Sequence, residues 1–428
     1  MLLTDQNGWE TTGETVEVAS GSRRAPRSAI VIGAGVVGLA TAYALARRGV
    51  AVTVIESRDA PGCEASFANG AQLSYAYTDA LASPALLRHM PGIVLGMDPA
   101  TQLRPSLDPN YLVWLLRFLR NSTRGRFMHN TLAGLKLGLE SRLAMQSLQQ
   151  RHHLDFGHQV TGKLHIHASA ESLASARTIV AAKRVHGAEQ HVLDRAEAVR
   201  LEPALADHGP FAGAIHTPGD EAGDPHRFCI AMAALLQARY GVVIRLGTTV
   251  QDIAEDDAEA RATTTTGEQL VAGEVIICAG IGSGKLARRL GLRSLLMPMK
   301  GYSFTAMPGT ANLRVSVTDV ARKIVLCPLD GMVRVAGLAE IGERSTATDP
   351  KALERLRIAA RASLPSAANY DQIAPGWAGI RPMTASSLPR IGPVSPRIAV
   401  NIGHGMLGWT YAMGSGERLA QSVLERVA

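Results

Sequence analysis

AIVIGAGVVGLATAYALARRGVAVTVIE, residues Ala29 to Glu56, holds a complete strand–turn–helix–strand unit in one run. The apolar residues Ala29 to Ile32 suit a strand buried on both faces. Gly33, Gly35 and Gly38 follow at the spacing of a dinucleotide fingerprint. Leu39 to Arg48 reads as a helix stopped by Gly49, and Ala51 to Ile55 as a second parallel strand. Each glycine has a physical task. Gly33 permits the tight turn, Gly35 lets a pyrophosphate approach the backbone, and Gly38 lets the helix lie close on the strand. The helix N-terminus then offers unpaired N–H groups and partial positive charge to phosphates. Glu56, about twenty residues on, accepts hydrogen bonds from a ribose hydroxyl.

Outward from this unit, 428 residues provide for two or three domain-sized bodies. Hydrophobic content of 46% against 19% charged residues belongs to a globular chain rather than a disordered one. Aromatics are only 4%, and no basic run is interleaved with them, so nucleic acid is not an expected partner. The net charge of +7 is mild for this length; it suits carboxylate substrates or weak attachment to an anionic membrane surface. Cys63, Cys229, Cys278 and Cys327 form no CxxC pair, which fits a reducing compartment. No stretch is long and apolar enough to span a bilayer. The expected location is the cytoplasm, with peripheral contact at the inner face of the membrane left open.

Residues 1–27 read as a polar, mobile extension. After Glu56, the segment Cys63 to Tyr77 (CEASFANGAQLSYAY) has no periodicity and falls at the carboxyl ends of the strands, where ligands of open α/β sheets bind. Tyr111 to Leu119 and Leu132 to Gln150 have helical spacing, with Trp114 and Phe118 as core. Gly162 to His167 (GKLHIH) alternates like a strand, which puts His165 and His167 on one solvated face and calls for no metal. Asp220, Glu221 and Asp224 fail the calcium-loop pattern and read as the turn into a helix, Arg227 to Tyr240. Val242 to Leu246 is a strand, with Thr248 to Ile253 continuing it. Glu274 to Cys278 leads into AGIGSGK, which has one residue too few between its glycines for a phosphate loop, and has Leu286 where Ser or Thr must bind magnesium. Pro298 to Leu338 brings antiparallel-style strands. Gly403 to Gly408 (GHGMLG) is a glycine turn followed by one helix, Ser415 to Val427, and not a second dinucleotide unit.

VIGAGVVG (Val31 to Gly38), SFANGAQLS (Ser66 to Ser74), LEPAL (Leu201 to Leu205), DEAGD (Asp220 to Asp224), PMKGYS (Pro298 to Ser303), GIRPMT (Gly379 to Thr384) and GHGMLGWT (Gly403 to Thr410) together resemble the D-amino-acid oxidase superfamily of flavoproteins. Within it, the likeness is to bacterial D-amino-acid dehydrogenases. The resemblance implies a mixed α/β (α+β) fold: an FAD-binding, Rossmann-like domain of the glutathione-reductase type, and a substrate domain with helices and a mainly antiparallel sheet. It assigns residues 28–90, 213–292 and 376–428 to the first, and 91–212 and 293–375 to the second. FAD contacts are implied at Gly33, Gly35, Val36, Val37 and Gly38, and at Glu56, Ser57 and Arg58. The irregular segment adds Ser66, Asn69, Gly70, Gln72 and Leu73. Later pieces add Val250, Ala279 and Gly280, then Gly403, Gly405, Met406, Leu407, Gly408 and Thr410.

The resemblance also implies Arg381 as a clamp for the substrate carboxylate, because a planar guanidinium matches it bidentately. Tyr302 would line the pocket and hydrogen-bond the substrate. His404 would bring a positive or hydrogen-bonding group to the flavin. One departure stands out: members often carry Pro-Asp-Gly after Arg-Pro-x-Thr, where this chain has Ala385, Ser386 and Ser387. The implied reaction is oxidation of a D-amino acid to an imino acid, then a 2-oxo acid and ammonia, with electrons passed to a quinone or dye. Two rivals accompany it. One is a dehydrogenase or oxidase of glycine, sarcosine, another secondary amine or cis-4-hydroxy-D-proline; the other is a non-catalytic dinucleotide-binding protein on the same fold.

Overall fold

A computed structural model describes residues 28–292 and 296–426. The N-terminal extension of the sequence reading lies outside the described residues. The strand Ser28–Ile32 sits in the middle of a six-stranded sheet whose order is Arg390–Pro393, Ile398–Ile402, Glu274–Ile277, Ser28–Ile32, Ala51–Ile55, Val243–Arg245. Five of these run parallel, and only Arg390–Pro393 is antiparallel, at the edge. Alternation along the central strand sends Ala29 and Val31 into one core and Ile30 and Ile32 into another. The first core lies under the fingerprint helix Val36–Ala46 and the C-terminal helix Gly408–Glu425. The second lies under a three-stranded antiparallel meander, Val250–Glu255, Ala260–Thr264 and Gln269–Ala272. Burial on both faces explains the unbroken apolar run.

Of the twelve remaining described strands, Gln72–Leu73 and Glu221–Ala222 pair with each other, and the other ten form a mainly antiparallel sheet. At its heart Met297–Pro308 pairs with Met332–Ile341 and Trp377–Met383. The helix Pro350–Ser363 packs on one face of this sheet, over Phe304, Val335 and Tyr302. The other face meets the irregular segment after Glu56.

Several boundaries differ from the sequence reading. Gly213–Thr217 and Trp377–Met383, assigned there to the dinucleotide-binding part, pair within the large sheet. Partner choice is a non-local property that neither segment carries in its own pattern. Val243–Arg245 and Val250–Glu255 belong to different sheets, split at Gly247, which has φ +60°. The C-terminal helix starts at Gly408, not Ser415. Its Gly414 and Gly416 look like breakers but are packing positions: a Cβ on them would stand 2.8 Å from Ser141 N and from the Ala40 backbone. The strand Lys163–His167 is buried along its whole length, so the expected solvated histidine face does not exist.

Candidate active site

The parallel strands of the small sheet end at one edge, so the turns after Ile32, Ile277 and Ile402 converge there. Seven of the ten described α-helices have a side chain capping their first turn. The three without one are Val36–Ala46, Ser283–Arg289 and Gly408–Glu425, each of which follows a glycine turn. No N-cap side chain therefore covers the first turns of the two longer helices; apart from Val36 N, which Ser66 engages, they face the shared edge as sites that suit a ligand with negative charge.

Within the first turn the glycines act as the motif requires. Gly33 has φ +109°, and a Cβ there would stand 2.7 Å from Cys278 O. Gly38 lies so close beneath the Gly33 carbonyl that no side chain fits. Val36 N donates to Ser66 Oγ at 3.2 Å, tying the turn to the irregular segment, while Val37 lies part-buried beside it. Glu56 Oε2 accepts from Ala34 N (2.8 Å), and its Oε1 accepts from Arg58 N (2.9 Å) and the Ser57 hydroxyl (3.1 Å). A carboxylate has lone pairs beyond these, so the braced acid still has capacity for a ribose hydroxyl. Arg58 itself pairs with Glu64. Ala279 and Gly280 (φ +53°) form the turn beside Gly33, and Val250 opens the meander.

Farther along, Gln72 Nε2 is buried without a protein partner. Leu73 points into the core, so only its backbone can face a ligand. Ser74 N donates to Thr410 Oγ1 at 3.0 Å, which joins this segment to the C-terminal helix. Gly403 and Gly405 both take positive φ, +82° and +56°, and Met406, Leu407 and Gly408 complete the turn. Three glycine turns, two uncapped helices, a braced acid and an orphaned amide donor fit a flavin dinucleotide.

The three proposed catalytic side chains fare differently. Arg381 lines a cleft with Gly301, Ser303, Ala336, Trp377, Gly379 and the turn at Ala68 and Asn69. Its Nη1 donates to Leu338 O at 3.2 Å, burial pushes its pKa down to about 10, and no carboxylate perturbs it. Tyr302 borders the same cleft, but its ring packs in the core beneath Pro350–Ser363 and its hydroxyl donates to Glu340 Oε1 at 3.1 Å. Its hydroxyl proton is therefore already engaged on the face under that helix. His404 lines a second cleft with Asp79, Asn130, Met383, Met406 and Leu407. Burial pushes its pKa down to about 3, and Nε2 lies 3.0 Å from Ser415 Oγ. Burial disfavours the charged ring, so the surroundings of His404 favour the hydrogen-bonding reading over the positive-charge one.

A buried polar cluster was not foreseen. Lys163 Nζ donates to Ser74 Oγ at 2.7 Å, and Tyr75 N donates to Asp220 Oδ1 at 2.9 Å. Lys183 pairs with Asp79, and His165 stacks on Tyr77 with centroids 3.7 Å apart. Of the acids in the supposed helix-entry turn, only Asp224 caps the helix, which begins at Pro225; Glu221 accepts instead from the Tyr75 hydroxyl and lies 2.8 Å from His158.

Residues 28–422 match the FAD dependent oxidoreductase (DAO) family. A D-amino acid dehydrogenase 2 of Ralstonia nicotianae is 38% identical over 92% of this chain and 96% of its own. One from Pseudomonas aeruginosa is 39% identical over 92% and 94%. A glycine oxidase structure from Geobacillus kaustophilus superposes with a TM-score of 0.73 at 23% identity, covering 94% of this chain and 95% of that one. The L-proline dehydrogenase of P. horikoshii also reaches 0.73, at 18% identity, with 94% of each chain covered. These two establish the fold alone. The chain belongs to the FAD dependent oxidoreductase family: it is an oxidoreductase whose cofactor is FAD.

Proposed function

We propose that this protein is a D-amino-acid dehydrogenase, oxidising its substrate at Cα to an imino acid that hydrolyses to a 2-oxo acid and ammonia. The observation that carries this is the Arg381 guanidinium, which lines the cleft and, among the described residues, is engaged by the Leu338 carbonyl and by no carboxylate. A half-buried cation that faces a cleft seeks an anion there, and the α-carboxylate is the anion common to amino acids. Names of the curated relatives support the D configuration. Bound FAD supplies the two-electron acceptor for the Cα hydride. The residues do the rest. Arg381 fixes the carboxylate; its guanidinium rests over bare Gly301 and the Trp377 ring over bare Gly379, in space that side chains there would fill. Among the described residues, no aspartate, glutamate, histidine or lysine lines this cleft, so this reading has the substrate amine bind in its neutral form. Anaerobic mixing of the yellow holoenzyme with single amino acids tests the proposal. Bleaching by D-alanine or another D-amino acid, and not by its L form, is the expected result. Bleaching only by glycine, sarcosine or a cyclic secondary amine moves the protein to the first rival, and a colourless protein that takes up no flavin moves it to the second.

We further infer a seat on the inner, anionic face of the membrane, where a quinone can accept the electrons. No described helix is long and apolar enough to cross a membrane. The helix Pro109–Asn121 buries Tyr111, Trp114 and Phe118 yet leaves Leu112, Val113, Leu116 and Leu119 exposed, with Val94, Leu95, Met97 and Leu107 nearby in sequence and also exposed. Between Pro84 and Leu135 the chain has six arginines and two acids. A stretch that combines exposed apolar residues with an excess of arginines suits anionic headgroups. Sedimentation with phosphatidylglycerol vesicles, lost in a Leu112→Glu, Leu116→Glu double variant, is expected; equal binding by that variant would sink the reading.

A further inference from the structure

We propose that Ser303 and Arg334 are positioning residues: they turn the amides of Asn69 and Gly70 toward the dinucleotide side of the fold, as a donor pair that favours the reduced, more negative state of bound FAD. Both side chains come from the large sheet. Ser303 Oγ donates to Ala68 O at 2.5 Å, and Arg334 Nη1 donates to Asn69 O at 3.0 Å. Two successive carbonyls are thus drawn onto the sheet. In a trans peptide the N–H points opposite to the C=O of the same unit. The amides of Asn69 and Gly70 must therefore point away from the sheet. That is the side on which Ser66 reaches the fingerprint turn.

The rest of the turn is built to keep this orientation. Ala71 has φ +58°, a left-handed conformation costly for a residue with a side chain, and its N–H donates to Asn69 Oδ1 at 2.9 Å. Gly70 lies against Val325, whose Cγ2 would stand 3.1 Å from any Cβ there. Arg334 is itself fixed: Nε donates to Thr305 Oγ1 at 2.7 Å, and Nη2 lies 3.6 Å from Asp224 Oδ2. Unlike Arg381 it already has a carboxylate, so its role is to hold the turn rather than to bind substrate. Adjacent oriented N–H groups form an anion-seeking concavity, and their partial charge acts most strongly on the state that gains negative charge.

The proposal rests on the FAD assignment and not on the identity of the substrate. Its test is the midpoint potential of the holoenzyme, with fluorescence titration of apoprotein by FAD, for Ser303→Ala, Ser303→Thr and Arg334→Met. Ser303→Ala and Arg334→Met should bind oxidised FAD nearly as well as wild type but the reduced form about tenfold more weakly, a fall of about 30 mV for two electrons. Ser303→Thr, which keeps a hydroxyl, should return toward the wild-type potential. Unchanged potentials in variants that retain FAD would overturn the proposal, as would equal behaviour of Ser303→Ala and Ser303→Thr. If Arg334→Met does not fold, Ser303→Ala decides. Failure of the wild type to take up FAD would instead overturn the cofactor assignment.

Discussion

The guanidinium of Arg381 lies against the backbone of Gly301 on the neighbouring strand, in the very space a Cβ at 301 would fill. The bare strand therefore gives the arginine its seat. Gly301→Ala should push the side chain off its position beside Leu338 O without straining the backbone. The expected outcome is a KM for the amino acid raised tenfold or more, from loss of a charge-assisted hydrogen bond worth about 1.5–3 kcal/mol. Arg381→Lys should do the same, since an ammonium cannot grip a carboxylate bidentately. Steady-state kinetics with a dye acceptor checks both, and an unchanged KM in either would remove Arg381 from the substrate.

His404 yields a pH prediction. Burial holds its folded pKa near 3, below the 6.5 of an exposed imidazole. A base with a lowered pKa contributes stability that is full above 6.5 and is lost as pH falls toward 3, by up to about 1.4 kcal/mol per pH unit. His404→Gln has no proton to take up there. Its denaturation midpoint should fall less than that of the wild type between pH 6.5 and 4.5. Parallel curves would show that the ring already titrates normally in the fold.

The fingerprint was legible because every part of it is local: a run, a spacing, a helix stop and an acid within 28 residues. Tyr302 was not. Residues 297–303 pair without a break with Trp377–Met383, so simple alternation puts Tyr302 beside Phe304 on the face under Pro350–Ser363 and Gly301 and Ser303 on the other. Which of the two faces meets the cofactor is set by distant segments, and the strand's own pattern does not carry it. The histidines of Lys163–His167 failed for a related reason. Alternation shows that a strand has two faces, but not that a distant segment, Ser74 to Asp79, covers the polar one.

Glu56 should couple turn stability to FAD affinity. Its two oxygens already accept three hydrogen bonds. Glu56→Gln keeps the shape but turns a donor toward a backbone N–H, leaving at least one buried group unpaired at about 1–3 kcal/mol. FAD should bind ten- to a hundredfold more weakly by fluorescence titration. An affinity within twofold of wild type would mean that this acid does not reach the cofactor.

Lys163 and Asp220 are two buried, oppositely charged groups that flank one stretch of chain, Ser74 to Tyr75. Burial lowers the Lys163 pKa and raises that of Asp220, while each charge partly offsets the shift of the other. The sign is the same for both: each is costly in its charged form. The contribution of Asp220 is present in acid and fades as pH rises; that of Lys163 is present in alkali and fades as pH falls. At neutral pH they therefore rely on one another, and removing one leaves the other uncompensated. Urea denaturation should show Lys163→Met and Asp220→Asn each destabilising, and the double variant less destabilised than their sum by about 0.5–3 kcal/mol. Strict additivity would mean that the two charges do not interact, and that Ser74 and Tyr75 are held by two independent hydrogen bonds.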